Sequence, residues 1–171
     1  ELENLKDLEG CCGIKLFAGS STGNLLVQQE KDIEKVFKSS SKVVSVHSED
    51  EESLNIRKKL SKEGDGQTNP VWRNEECSNS STRKIVKIAE RLNNEAHILH
   101  VTTKEEVDFL SQHKGNMSFE ITPQHLTISA PQCYKLLGTL AQMNPPIREK
   151  KHQDMLWKAI KDGVADMIGS D

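Results

Sequence analysis

The chain has 171 residues, 35% of them hydrophobic and 29% charged, with a formal net charge of −3. That suits one domain with a modest core, and basic residues interspersed with acids leave no footprint for nucleic acid or anionic lipid. No apolar run approaches the roughly 20 residues of a membrane span, and the acidic N-terminus ELENLKDLEG is not built as a signal peptide.

From the N-terminus, Cys11–Ala18 (CCGIKLFA) reads as a strand, followed by the small polar loop Gly19–Asn24. Glu30–Ser39 reads as a helix, because Ile33, Val36 and Phe37 recur at i, i+3 and i+4. Val43–His47 (VVSVH) is a second strand and Glu51–Glu63 a second helix. Gly64–Asn69 is loop before Pro70, and a long helix from Ser78 to Asn93 gathers Ile85, Val86, Ile88, Ala89 and Leu92 on one face. Ala96–Thr102 (AHILHVT) is a third strand, Lys104–His113 a helix with Val107, Phe109 and Leu110 inward, and Met117–Ile121 a fourth strand. A loop around Pro123, the weakly patterned Cys133–Gln142 and the rigid turn Asn144-Pro145-Pro146 follow. Gln153–Lys161 is the last helix, leading into a strand over Val164–Ser170 that Asp171 closes.

Strand and helix in alternation imply parallel crossovers, hence an α/β fold, either a doubly wound sheet or a β/α barrel. A complete barrel takes roughly 250 residues and eight strands, so a barrel would be present here only in part. The four cysteines, Cys11, Cys12, Cys77 and Cys133, lack metal-ligand spacing and read as buried free thiols of a reducing cytoplasm.

Parallel α/β folds place their chemistry beyond the carboxyl ends of the strands. His47 ends its strand, His100 lies near the end of another, and Asp171 ends the last. Two neutral imidazoles and a carboxylate at one end of a barrel suit zinc or a similar divalent metal. Singly, such a histidine also serves as a hydrogen-bonded structural residue, and such an aspartate as a helix N-cap. Lys15 sits inside the apolar run GIKLF, where burial would favour the free amine, a nucleophile able to form a Schiff base or take up carbon dioxide as a carbamate. The plainer alternative is that it snorkels to solvent or pairs with an acid.

His97 lies three residues before His100, so on a regular strand it faces the outer helices. His113 and His152 read as solvated, and His125 as a packing or loop residue. Gly19–Asn24 lacks the glycine spacing or terminal Gly-Lys of a nucleotide loop and would instead offer hydroxyls to a polar substrate. In MNPPIR the prolines hold Asn144 in one pose, where its amide suits an imide or ureide ring; otherwise the turn is a rigid connection with a surface arginine.

The segments GIKLFAGSSTGN, VHSEDE, NPVWRNEE, HILHVTT, EITPQHLTI, MNPPIRE and GVADMIGSD resemble, in order and spacing, the dihydroorotases of the amidohydrolase superfamily. The resemblance covers nearly the whole chain and implies a (β/α)8 TIM barrel, here about strands 4 to 8. It implies that residues 1–171 are part of a single catalytic barrel domain truncated at both ends. The reaction would be the reversible interconversion of N-carbamoyl-L-aspartate and L-dihydroorotate in pyrimidine synthesis. Carried over by position, Lys15 resembles the carboxylated lysine that bridges two metals, usually zinc. His47, His100 and Asp171 resemble further metal ligands, Asp171 also being the catalytic acid and base, and Asn144 a substrate-binding residue.

Two family features have no counterpart: an opening His-x-His strand and a histidine-containing motif after the aspartate. Asn69 and Gln124 also stand where histidine is common. The expected partner is a small molecule, with neither nucleic acid nor membrane, in the cytoplasm; a homo-oligomer is compatible. Competing readings are a dihydropyrimidinase or allantoinase, and a non-catalytic homologue that keeps the barrel as a scaffold.

Overall fold

The computed structural model describes residues 8–20 and 24–171. Five parallel strands form one sheet in the order of the chain: β1 (Gly13–Phe17), β2 (Val43–His47), β3 (Ala96–Ile98), β4 (Met117–Ile121) and β5 (Met167–Ile168). A doubly wound sheet reverses its strand order at a switch point. This one never does, so every crossover steps the same way, as in the wall of a barrel.

Among the described residues eight α-helices connect or flank the strands: α1 (Glu30–Ser39), α2 (Glu51–Arg57), α3 (Asn69–Trp72), α4 (Glu75–Leu92), α5 (Lys104–Leu110), α6 (Pro123–Thr127), α7 (Gln132–Leu137) and α8 (Lys150–Lys161). Strand alternation decides which side chains meet them. Ile14, Leu16, Val44, Val46, Ile98, Phe119 and Ile121 turn to the helices and pack against Ile33, Phe37, Ile85, Ile88, Val107, Leu110 and Leu156. The alternate residues face the other way. Lys15 is therefore exposed while Ile14 and Leu16 are buried, a correction to the expectation that its neighbours would bury it.

Parallel register sets Lys15 beside Ser45, Ser45 beside His97, and His97 beside Ser118. Paired residues share a face, so His97 lies on the inner side with Lys15 and not under the outer helices. The reason is local. The strand stops at Ile98 and His100 takes a φ of 39°, which breaks the alternation and turns both imidazoles to one side. His97 hydrogen-bonds the Ser118 hydroxyl at 2.8 Å and the Glu120 carboxylate at 3.3 Å.

Several helix boundaries have visible causes. Thr103 caps α5 through a reciprocal capping box with Glu106. Asp50 caps α2, and Asn93, in the left-handed region at φ 54°, ends α4. His152, expected in solvent, is 1% exposed and accepts the Lys104 N–H at 3.0 Å, joining α8 to α5. Its Nε2 lies 3.6 Å from the Glu75 carboxylate, and this neighbouring imidazole is the largest cause holding the Glu75 pKa down at about 2. The cysteines are all free; Cys77 and Cys133 are buried, Cys11 is half-buried and Cys12 exposed.

Candidate metal centre

His47 and His100 meet at the carboxyl ends of β2 and β3. His47 Nδ1 lies 3.0 Å from His100 Nε2, both rings being almost fully buried. The other nitrogen of His47, Nε2, is 2.9 Å from the Glu49 carboxylate. A carboxylate beside a neutral imidazole accepts its N–H, so Nδ1 of His47 is left as a lone pair aimed at His100. Burial is the main reason the His100 pKa lies well below its usual range, and its electrostatic coupling to His47, Lys15 and His125 pushes it the same way. His100 is neutral at neutral pH, and its Nδ1 is buried with no hydrogen-bond partner.

Glu49 is fully buried, and burial alone would raise its pKa; hydrogen bonding to His47 and the charge of Arg73 outweigh this and lower it. Arg73 donates from Nε to Glu49 Oε1 at 3.2 Å and from an Nη to Oε2, and it also reaches the Ser20 hydroxyl. Gly19 is required here, because a Cβ would collide with the Glu49 carbonyl. Glu49 and Arg73 escaped sequence reasoning: Glu49 sits in the acidic run SEDEE, which reads as a solvated helix start, and Arg73 is 24 residues away.

Lys15 stands on the inner face with its ammonium over the Phe17 ring at 4.7 Å. Partial desolvation at the foot of this exposed lysine lowers its pKa, while the charges of Asp171 and Glu120 raise it, so Asp171 and Lys15 are within electrostatic reach. Asp171 itself is exposed, at φ 60°. Gly169, two residues before it, passes so close to the Glu120 carboxylate that a Cβ there would force that side chain to shift. The structure thus brings the two histidines into contact and sets Lys15 and Asp171 nearby. Among the described residues no three His, Cys, Asp or Glu side chains form a ready cluster for a metal ion.

The two histidines nonetheless fit a divalent metal. Two imidazole nitrogens pointed at each other need either a proton or a cation between them, and the His100 ring is held in the neutral form that metals require. A carboxylate bonded to the far nitrogen of a metal-binding histidine is the usual support.

Asn144 is exposed, but the backbone on both sides of it is pinned. Asn69 donates to the Met143 carbonyl at 3.1 Å, and His125 Nε2 donates to the Pro145 carbonyl at 3.1 Å. Thr122 hydrogen-bonds the other nitrogen of His125 at 2.7 Å, and burial lowers the His125 pKa to about 4. Arg148 is not a surface residue: it is 4% exposed and donates to Thr102, Ser78 and the carbonyls of Arg73 and Asn74. Of the hydroxyl loop Gly19–Asn24, residues 21–23 lie outside the described residues, as do residues 1–7 of the acidic N-terminal segment.

The chain is 28% identical over 159 residues to a dihydroorotase of Halobacterium salinarum, covering 92% of this chain and 36% of that protein. It is 30% identical over 138 residues to a D-hydantoinase of Geobacillus stearothermophilus, covering 75% of this chain and 29% of that protein. It spans about a third of the length of these curated relatives. Among solved structures it superposes along its whole length on an L-hydantoinase from Arthrobacter aurescens, with a TM-score of 0.91 at 20% identity and 40% of that chain covered. A D-hydantoinase structure gives a TM-score of 0.89 at 25% identity, with 100% of this chain and 39% of that one covered. No family model matches. These neighbours are TIM barrels, and the five strands make up part of such a barrel.

Proposed function

Since the chain is homologous to the dihydroorotases and hydantoinases of the amidohydrolase superfamily, we propose that the whole protein is a metal-dependent hydrolase of cyclic amides, with residues 1–171 part of its single catalytic barrel domain. Within that class the proposed reaction is the dihydroorotase one, interconverting L-dihydroorotate and N-carbamoyl-L-aspartate in pyrimidine synthesis. The observation that carries the proposal is the pair of ring nitrogens of His47 and His100, 3.0 Å apart at the carboxyl ends of neighbouring parallel strands.

His47 and His100 would hold the metal, proposed as two zinc ions, together with Asp171 and with Lys15 in its carboxylated form. When bound, the metal acidifies a water towards neutral pH and polarises the ring carbonyl. Asp171 accepts the proton of the attacking water and returns it to the departing amide nitrogen as the ring C–N bond breaks. Asn144, its backbone pinned by Asn69 and His125, presents an amide that both donates to and accepts from a ureide ring. The proposed setting is the cytoplasm, in keeping with four unpaired cysteines.

A hydantoinase or dihydropyrimidinase reading draws on the D-hydantoinase relative and on the solved neighbours, which carry those names. The substrates separate the two. Dihydroorotate carries a ring carboxylate that hydantoin and dihydrouracil lack, so steady-state kinetics on all three tests the assignment. A dihydroorotase opens dihydroorotate best; preference for dihydrouracil or hydantoin selects the second reading.

A further inference from the structure

We propose that Glu49 and Arg73 act as a positioning couple for His47, fixing which of its nitrogens presents a lone pair and tying that choice to the loop that follows β1. The proposal rests on His47 and His100 being metal ligands, and it adds a layer behind them.

His47 Nε2 is 2.9 Å from Glu49 Oε2, and Glu49 has no exposed surface, so no water competes for that carboxylate. Arg73 grips both carboxylate oxygens, one from Nε and one from an Nη. A two-point grip by a planar guanidinium fixes the plane of the carboxylate as well as its position. With Glu49 fixed, the His47 ring has one orientation in which its Nε2–H is satisfied, and that orientation points Nδ1 at His100. The same Nη of Arg73 reaches the Ser20 hydroxyl, while the Ser20 N–H donates to Glu51 at 2.8 Å. The loop after β1, the start of α2 and the His47 ring are therefore joined through one guanidinium. Arg73 itself is 3% exposed, and it stacks its guanidinium on Trp72 with 4.8 Å to the ring centroid.

The test uses the full-length protein stripped of metal and titrated with Co2+ alone, reading the dissociation constant and the visible spectrum of the bound ion. Loss of a residue that orients a ligand costs about 10- to 100-fold in metal affinity. Arg73→Gln and Glu49→Gln are each expected to weaken Co2+ binding in that range and to alter its spectrum. Ser20→Ala, which removes only the loop link, is expected to weaken binding by less. Glu49→Gln keeps the size and an acceptor oxygen, so it remains informative where Arg73→Gln does not fold. If Glu49→Gln leaves both affinity and spectrum unchanged, the positioning proposal is overturned, even if the melting temperature falls. His47→Ala and His100→Ala serve as the separate control: unchanged Co2+ binding there overturns the metal-pair reading itself.

Discussion

Asn144 and His125 show how differently neighbouring polar residues are used. Asn144 is exposed and, among the described residues, its side chain makes no protein hydrogen bond, while its flanking carbonyls are held by Asn69 and His125. Replacing it with alanine is therefore expected to leave the melting temperature within a degree or so and to lower kcat/KM by about 10- to 100-fold, the loss of one or two hydrogen bonds to substrate. Unaltered kinetics would remove Asn144 from the binding site. His125 is buried and neutral, with its pKa lowered from 6.5 to about 4. A folded pKa below the unfolded one means the unfolded chain takes up the proton first. The stability His125 contributes is whole above pH 6.5 and is lost as pH falls towards 4, about 3 kcal/mol in all. Denaturant midpoints across that window should fall more steeply for the native protein than for His125→Gln; equal slopes would contradict the assignment. His47 was legible because VVSVH announces where its strand finishes, whereas His100 lies two residues past the end of β3, which AHILHVT does not announce. His97 was misplaced because no pattern announces a residue at φ 39°.

The elements were legible where apolar spacing was unambiguous and blurred where capping or ladder pairing decided. α1, β2 and β4 have the bounds their patterns predict. β3 is shorter than AHILHVT suggests: after Ile98 the backbone turns at His100, and Val101 is held by a bond from its N–H to the Glu120 carbonyl instead of a regular ladder. α6 was hidden by Pro123, which reads as a breaker but starts a helix when Thr122 stands at the N-cap. α5 offers the cleanest test at this scale. Its capping box joins Thr103 and Glu106, and Thr103 also donates to Asn79 on α4 at 2.8 Å. Thr103→Ala should cost about 1–2 kcal/mol from the lost cap, measured by denaturant unfolding. A smaller loss would mean that α5 is held by Val107 and Leu110 alone.

At the scale of the whole molecule, strand-helix alternation predicted parallel crossovers but left barrel and doubly wound sheet open. The strand order, β1 to β5 without reversal, decides between them. It also explains the exposed lysine, since the inner face of a barrel wall is covered by the barrel's other strands and Lys15 belongs to that face. The 171-residue chain alone carries two contacting metal-ligand candidates, so it is expected to bind zinc weakly and to turn over no substrate. Substantial turnover by this chain would show that the proposed division of the site is wrong. The most direct measurement is kcat/KM of the zinc-loaded whole protein on L-dihydroorotate, before and after chelation and in His47→Ala and His100→Ala. The expected result is turnover of dihydroorotate that chelation abolishes and each substitution lowers by at least ~100-fold, a loss of about 2.7 kcal/mol or more. Undiminished turnover after both substitutions, or a metal-loaded protein that opens no cyclic amide, would contradict it.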